Sequence, residues 1–190
     1  MTWQQDRASK LGLNIINQNY VAFKKPRQLS VNFPFTRTHL TIGDGNCFFR
    51  AVSMYLTGTD DSHGSLRRMV TEHVQYNQEQ FMAYSAKTED QLKIYLENMK
   101  RTSGTKKSVD CHWADDLIIT ATSSFLKTSI VIWTPQIVGN ITQCVWYTCD
   151  GTTVGETAYE NNIFFNYTPK QIILNNESGD HFEPADFEND

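Results

Sequence analysis

Apolar positions recur at helical spacing through the first half of the chain and give way to short β-rich runs in the second. Leu66, Met69, Val70, His73 and Val74 stand at i, i+3, i+4, i+7 and i+8, one continuous stripe that predicts a helix with Ser62 as its cap. Phe48 to Leu56 predicts a largely buried helix, entered from the turn formers Gly43-Asp44-Gly45-Asn46 and stopped by Gly58. Thr88 and Gln91 form a capping-box pattern ahead of Leu92, Tyr95, Leu96 and Met99, and Lys100 and Arg101 complement the C-terminal dipole of that helix. Asp115 to Phe125 predicts another, and Leu11, Ile15 and Ile16 form one side of a short N-terminal helix. The period changes at Ser129-Ile130-Val131-Ile132-Trp133, a β-rich run closed by Pro135. Strands are expected at 143–148, 163–166 and 171–175, and the turn Glu177-Ser178-Gly179-Asp180 before His181-Phe182-Glu183 predicts a terminal hairpin. Helices early and strands late predict an α+β domain, with helices packed around a mostly antiparallel sheet.

At 190 residues, with 39% hydrophobic and 20% charged positions, the chain is long enough for one domain with a core of its own. Its net charge of −4 disfavours partners that are polyanions, so neither nucleic acid nor an anionic membrane is expected. The interrupted basic cluster Lys24-Lys25-Pro26-Arg27 reads as a solvated loop. No apolar run approaches the roughly 20 residues of a membrane span, and the first residues lack the pattern of a secretion signal. Four cysteines without a C-x-x-C pair fit a reducing compartment, so an intracellular protein, cytoplasmic or nuclear, is expected.

Cys47 is where the chemistry concentrates. A thiol that follows Gly-Asp-Gly-Asn and opens a helix meets unpaired N–H groups and the positive dipole end, both of which favour thiolate. Gly43 and Gly45 allow a sharp turn and close approach of a ligand, and the N–H groups of Asp44, Gly45, Asn46 and Cys47 could hold an oxyanion. The same local pattern also suits a phosphate site or an inert buried cysteine. A cysteine hydrolase further needs a base, usually histidine, and a group that orients it. His73 lies on a core stripe, His63 in a cap region, and His39 and His112 have no clear partner. His181 follows a turn and has Glu183 at i+2 on the same strand face, while Asp44 is a second acidic candidate. Cys111-His112 with Cys144 and Cys149 lacks the spacing of a zinc site, so no metal is expected. Trp113, Trp133 and Trp146 read as core or boundary packing, a substrate groove being their other possible use.

The segment Asp44-Gly45-Asn46-Cys47-Phe48-Phe49-Arg50-Ala51-Val52-Ser53 resembles the nucleophile motif of the ovarian-tumour (OTU) domain cysteine proteases, which are mainly deubiquitinases. Trp113-Ala114-Asp115-Asp116-Leu117 ahead of Ile130-Val131-Ile132, and Ile172-Ile173-Leu174-Asn175 leading to His181-Phe182-Glu183, are similar to the family's later blocks in the family's order. The resemblance implies a papain-like fold of OTU type over 38–190, with 1–37 an N-terminal extension packed on or flanking it. It implies a thiol deubiquitinase acting at the C-terminal glycine of ubiquitin or a ubiquitin-like modifier, with Cys47 as nucleophile, His181 as base and no cofactor. Ala114 stands where the family often has Gly, and Glu183 where it commonly has Asn or Asp. Family members orient the histidine from either that position or the Asp of the nucleophile motif; Asp44 is the expected orienter and Glu183 the alternative. Two other functions share the pattern: a catalytically impaired ubiquitin-binding module, and an OTU-like viral or mobile-element protease.

Overall fold

A computed structural model describes residues 3–15, 26–28, 37–101, 113–138, 141–147, 154–159, 171–176 and 180–186. The described helices are α1 (Trp3–Lys10), α2 (Cys47–Thr57), α3 (His63–Tyr76), α4 (Gln78–Ser85), α5 (Glu89–Lys100) and α6 (Asp116–Leu126). The strands are β1 (Pro26–Gln28), β2 (Arg37–His39), β3 (Ser129–Val138), β4 (Ile141–Tyr147), β5 (Val154–Tyr159), β6 (Gln171–Asn175) and β7 (Glu183–Asp186). No described helix is long and apolar enough to cross a membrane.

Local chemistry accounts for most helix boundaries. Gly58 closes α2 in the left-handed region at φ 79°, its N–H bonded to Met54 O. Thr88 and Gln91 form the expected reciprocal box at the start of α5, and the Asp115 carboxylate caps α6 at Ile118 N. Ser62 precedes α3, but its side chain makes no cap bond. The N-terminal helix ends before the apolar residues used to predict it: the chain turns at Gly12 (φ +65°), and Leu11, Leu13 and Ile15 pack after the helix rather than along it. Ile16 and the strand expected at 163–166 lie outside the described residues. Helix α4 was not anticipated, because only Phe81 and Ser85 are buried along it, too few to draw a stripe.

The sheet runs β1-β2-β7-β6-β3-β4-β5. Only β3 and β6 pair in parallel; the other neighbours are antiparallel, as an α+β arrangement requires. Strand β6 is buried along its whole length. Pro135 does not end β3: the strand continues to Val138, and its ladder with β4 shifts register between Thr134 and Val138, where a residue without an N–H can sit.

The core joins α2, α3, α5 and α6 to β3 and β6 through Phe48, Phe49, Leu66, Val70, Leu92, Ile118, Ile130 and Ile172, all at most 1% exposed. Two ties fasten α2 to β7 and the residues before it. The Phe182 ring meets Phe48 edge-on at 5.5 Å, and Tyr55 OH donates to Ala185 O at 3.1 Å. Because β7 pairs with the end of β6, these ties carry the chain's last histidine to the N-terminus of α2.

Candidate active site

Cys47 is the first residue of α2 and only 6% exposed. The helix start offers its N–H groups without competition, because Asn46 stands at the N-cap yet makes no side-chain cap bond. Burial pushes the Cys47 thiol up; the N–H groups of Phe182, Phe48 and Cys47 itself pull it down, and the Asp44 charge raises it again. The net direction is upward, so the thiolate expected from the helix start alone is outweighed by desolvation. The helix start by itself is therefore not enough to favour the thiolate, and thiol chemistry at this position would call for a base beside it.

The entering loop is tightly bonded. Gly45 takes φ +84°, the left-handed conformation that favours glycine, and the Asp44 carboxylate accepts the Asn46 N–H at 3.0 Å, as in an Asx turn. Gly43 has no positive φ; its backbone instead lies against the His181 ring, since a Cβ there would sit 3.9 Å from Cε1 and Nδ1. The Asp44 N–H donates to Ile42 O. Among the described residues, no acceptor is bonded to the N–H group of Gly45, and that of Cys47 faces only the residue's own thiol; of the four loop N–H groups, these two are the ones left without a carbonyl or carboxylate acceptor.

Asp44 and His181, expected to act together, are bonded to different groups. Asp44 is held by Arg50, whose Nη2 lies 2.7 Å from Oδ2 and whose Nε lies 3.3 Å from each carboxylate oxygen, and Arg50 also bonds Asp60 at 2.6 Å. Burial alone would raise the Asp44 carboxyl; hydrogen bonds from Arg50 and from the Asn46 backbone N–H reverse this and hold it at about 2. The neighbours of His181 are Thr41 and Glu183. Its Nε2 is 3.2 Å from Thr41 Oγ1 and 3.8 Å from Oε1 of Glu183, a residue 3% exposed whose Oε2 has no hydrogen-bond partner among the described residues. Thr41 donates its single hydroxyl proton to Phe182 O at 2.6 Å. Towards Nε2 it can then only accept, so Nε2 carries the imidazole proton and Nδ1, on the Gly43 side, keeps its lone pair.

Thr41 and Asn176 were missed in the sequence. Thr41 was legible only as the polar position between Leu40 and Ile42, both 55% exposed. Asn176 Oδ1 accepts the His181 N–H at 3.2 Å, tying the residue after β6 to the one that carries the imidazole; 177–179, most of the turn expected between them, lie outside the described residues. Of the other histidines, His39 is buried in β2, His63 bonds Asp60 O, and His73 lies between Phe81 and Phe125. His112, Cys111 and Cys149 lie outside the described residues. Trp133 is core as expected, whereas Trp113 is 53% exposed rather than packed. Among the described residues no three His, Cys, Asp or Glu side chains are grouped to hold a metal ion.

The profile of the OTU-like cysteine protease family matches residues 42–182, and the chain belongs to that family. It is 32% identical over 89 residues to ovarian tumor domain-containing deubiquitinating enzyme 7 of Arabidopsis thaliana, a stretch that covers 47% of this chain and 21% of that protein. Its fold is similar to an OTU deubiquitinase from Wolbachia pipientis wMel bound to ubiquitin (TM-score 0.58, 20% identity, 79% of this chain and 94% of the other). It is also similar to the viral OTU domain protease of Qalyub virus (TM-score 0.57, 20% identity, 85% and 97% covered) and to the Hazara virus OTU bound to ubiquitin (TM-score 0.55, 17% identity, 87% and 88% covered). These likenesses establish the papain-like α+β fold of OTU type.

Proposed function

We propose that the chain is a thiol isopeptidase that cleaves the bond between the C-terminal glycine of ubiquitin, or a ubiquitin-like modifier, and the amine to which it is joined. The observation that carries this reading is the polarised histidine opposite a helix-start thiol. Thr41 and Glu183 face Nε2 of His181, Nδ1 is left basic, and the next residue's N–H points at the Cys47 thiol. Ubiquitin as partner is supported by the ubiquitin bound to the Wolbachia and Hazara virus relatives.

In this reading Nδ1 of His181 takes the Cys47 proton as Sγ attacks the glycine carbonyl carbon. The carbonyl π electrons move onto oxygen, and the N–H groups of Gly45 and Cys47 receive that charge. The tetrahedral species collapses, its C–N bond breaks, and the leaving amine takes the proton back from His181. Water then adds to the thioester with His181 again as base, releasing the modifier's carboxylate and the thiol. Glu183 is the orienter and faces the imidazolium that forms twice per cycle. Asp44, with both oxygens engaged by Arg50 and Asn46, shapes the loop.

The test is reaction with a ubiquitin probe that carries a C-terminal thiol-reactive group, read by intact mass. A single ubiquitin adduct is expected on the wild type and none on Cys47→Ala. Cleavage of ubiquitin conjugates retained by Cys47→Ala would overturn the assignment. Ubiquitin binding without adduct formation would favour a binding module instead.

A further inference from the structure

Arg67, on α3, is completely buried, and its hydrogen bonds converge on the loop that precedes the nucleophile. Nη1 donates to Gly45 O at 3.0 Å and to Asn46 Oδ1 at 3.0 Å, while Nε is anchored on Met99 O in the last turn of α5. The guanidinium also lies over the Phe49 ring, 5.3 Å from its centroid. Three elements distant in sequence thus meet on one side chain that no solvent reaches.

The Gly45–Asn46 peptide is held at both ends. Arg67 binds its carbonyl, and Asp44 binds its N–H. The two loop donors with no carbonyl or carboxylate acceptor among the described residues, Gly45 N–H and Cys47 N–H, belong to the peptides on either side of it, so the orientation of this one unit sets theirs. A glycine permits its peptide to rotate between conformations that other residues resist, so this position needs an external constraint. The second bond acts on Asn46, whose residue type usually caps a helix through its side-chain oxygen. Here that oxygen is held by Arg67, and the N–H groups at the start of α2 stay open to the thiol and to incoming charge.

We propose that Arg67 is a positioning residue that pre-organises the oxyanion donors of the Cys47 loop, an inference that rests on the isopeptidase reading above. It touches no substrate; it acts by fixing a carbonyl and withholding a cap. Its removal should therefore damage acyl transfer, which develops an oxyanion, far more than simple alkylation of the thiol, which develops none.

The experiment compares wild type, Arg67→Met and Arg67→Lys as the full chain, with folding checked by circular dichroism. Hydrolysis of a ubiquitin C-terminal fluorogenic amide is measured beside alkylation of Cys47 by iodoacetamide. Arg67→Met should lower kcat about 100-fold, the scale of one lost oxyanion donor, with KM within about threefold and alkylation slowed less than tenfold. Arg67→Lys, which keeps the charge and can reach one loop acceptor, should recover part of kcat, and it serves as the informative variant if Arg67→Met does not fold. A folded Arg67 variant with wild-type kcat, or one that loses alkylation and hydrolysis equally, overturns the proposal. An inactive wild type would overturn the isopeptidase reading instead, so the two failures are distinct.

Discussion

Replacing Glu183 by Gln removes a charge beside His181 while keeping the side chain's length and its ability to accept a hydrogen bond. Oε1 lies 3.8 Å from Nε2, and the residue is 3% exposed, so solvent screens the pair weakly. At an effective dielectric constant near 20, a unit-charge pair at this separation attracts by about 4 kcal/mol once the imidazole is protonated. The Gln amide oxygen keeps a dipole facing the ring; if half of the charge interaction is lost, the imidazolium formed on the way to the acyl-enzyme is destabilised by about 2 kcal/mol, roughly a 30-fold fall in kcat/KM. The assay is hydrolysis of a ubiquitin C-terminal amide substrate by wild type, Glu183→Gln and Asp44→Asn, each first shown to be folded. The expected order is wild type, then Asp44→Asn, then Glu183→Gln. Activity of Glu183→Gln within twofold of wild type, with Asp44→Asn reduced 30-fold in a folded protein, would refute the reasoning and return the orienting role to Asp44.

Thr41→Val keeps shape but removes both the acceptor for the Nε2 proton and the donor to Phe182 O, and it should lower kcat about tenfold, whereas Thr41→Ser should stay near wild type. Equal kcat in Thr41→Val and wild type would remove Thr41 from the tautomer argument. Asp44 contributes stability through its lowered carboxyl: a folded value of about 2 against the ordinary aspartate value of 3.8 amounts to about 2 kcal/mol at neutral pH. The carboxyl is lowered, so this stability is complete above the unfolded value and is lost as pH falls through the folded one, with about half remaining near pH 3. Urea denaturation of wild type and Asp44→Asn should show a gap that narrows from pH 6 to pH 3, and a gap independent of pH would contradict the ion pair with Arg50.

The sequence by itself determined the elements whose causes are local. The capping box at Thr88, the left-handed stop at Gly58, the Asp115 cap and the buried stripe of α3 each depend on residues within one or two turns of each other. Cys47 at a helix start and the pairing of β6 with the strand that follows His181 were legible for the same reason, as was the resemblance that linked them. Where local signals were weak, the reading stopped short: α4 buries too little, β1 and β2 are three residues each, and Pro135 marks a register shift rather than an end.

Which of the two carboxylates stands beside His181 was decided only in three dimensions. Asp44 is close to Cys47 in sequence and looked able to serve His181, yet Arg50, one turn into α2, takes its oxygens first. Glu183 reaches His181 because β7 pairs with β6 and Phe182 packs on Phe48, contacts separated by much of the chain. Arg67 was less visible still. A charged residue beside an apolar stripe reads as solvated, and only the arrival of Gly45, Asn46 and Met99 around it shows that its charge is satisfied by oxygens of the site's own loop and of α5. Backbone hydrogen bonds and caps act over a few residues and leave a trace in sequence. The competition for a carboxylate or a carbonyl is settled by which donors the packed helices and sheet bring within about 3 Å, and no local pattern records it.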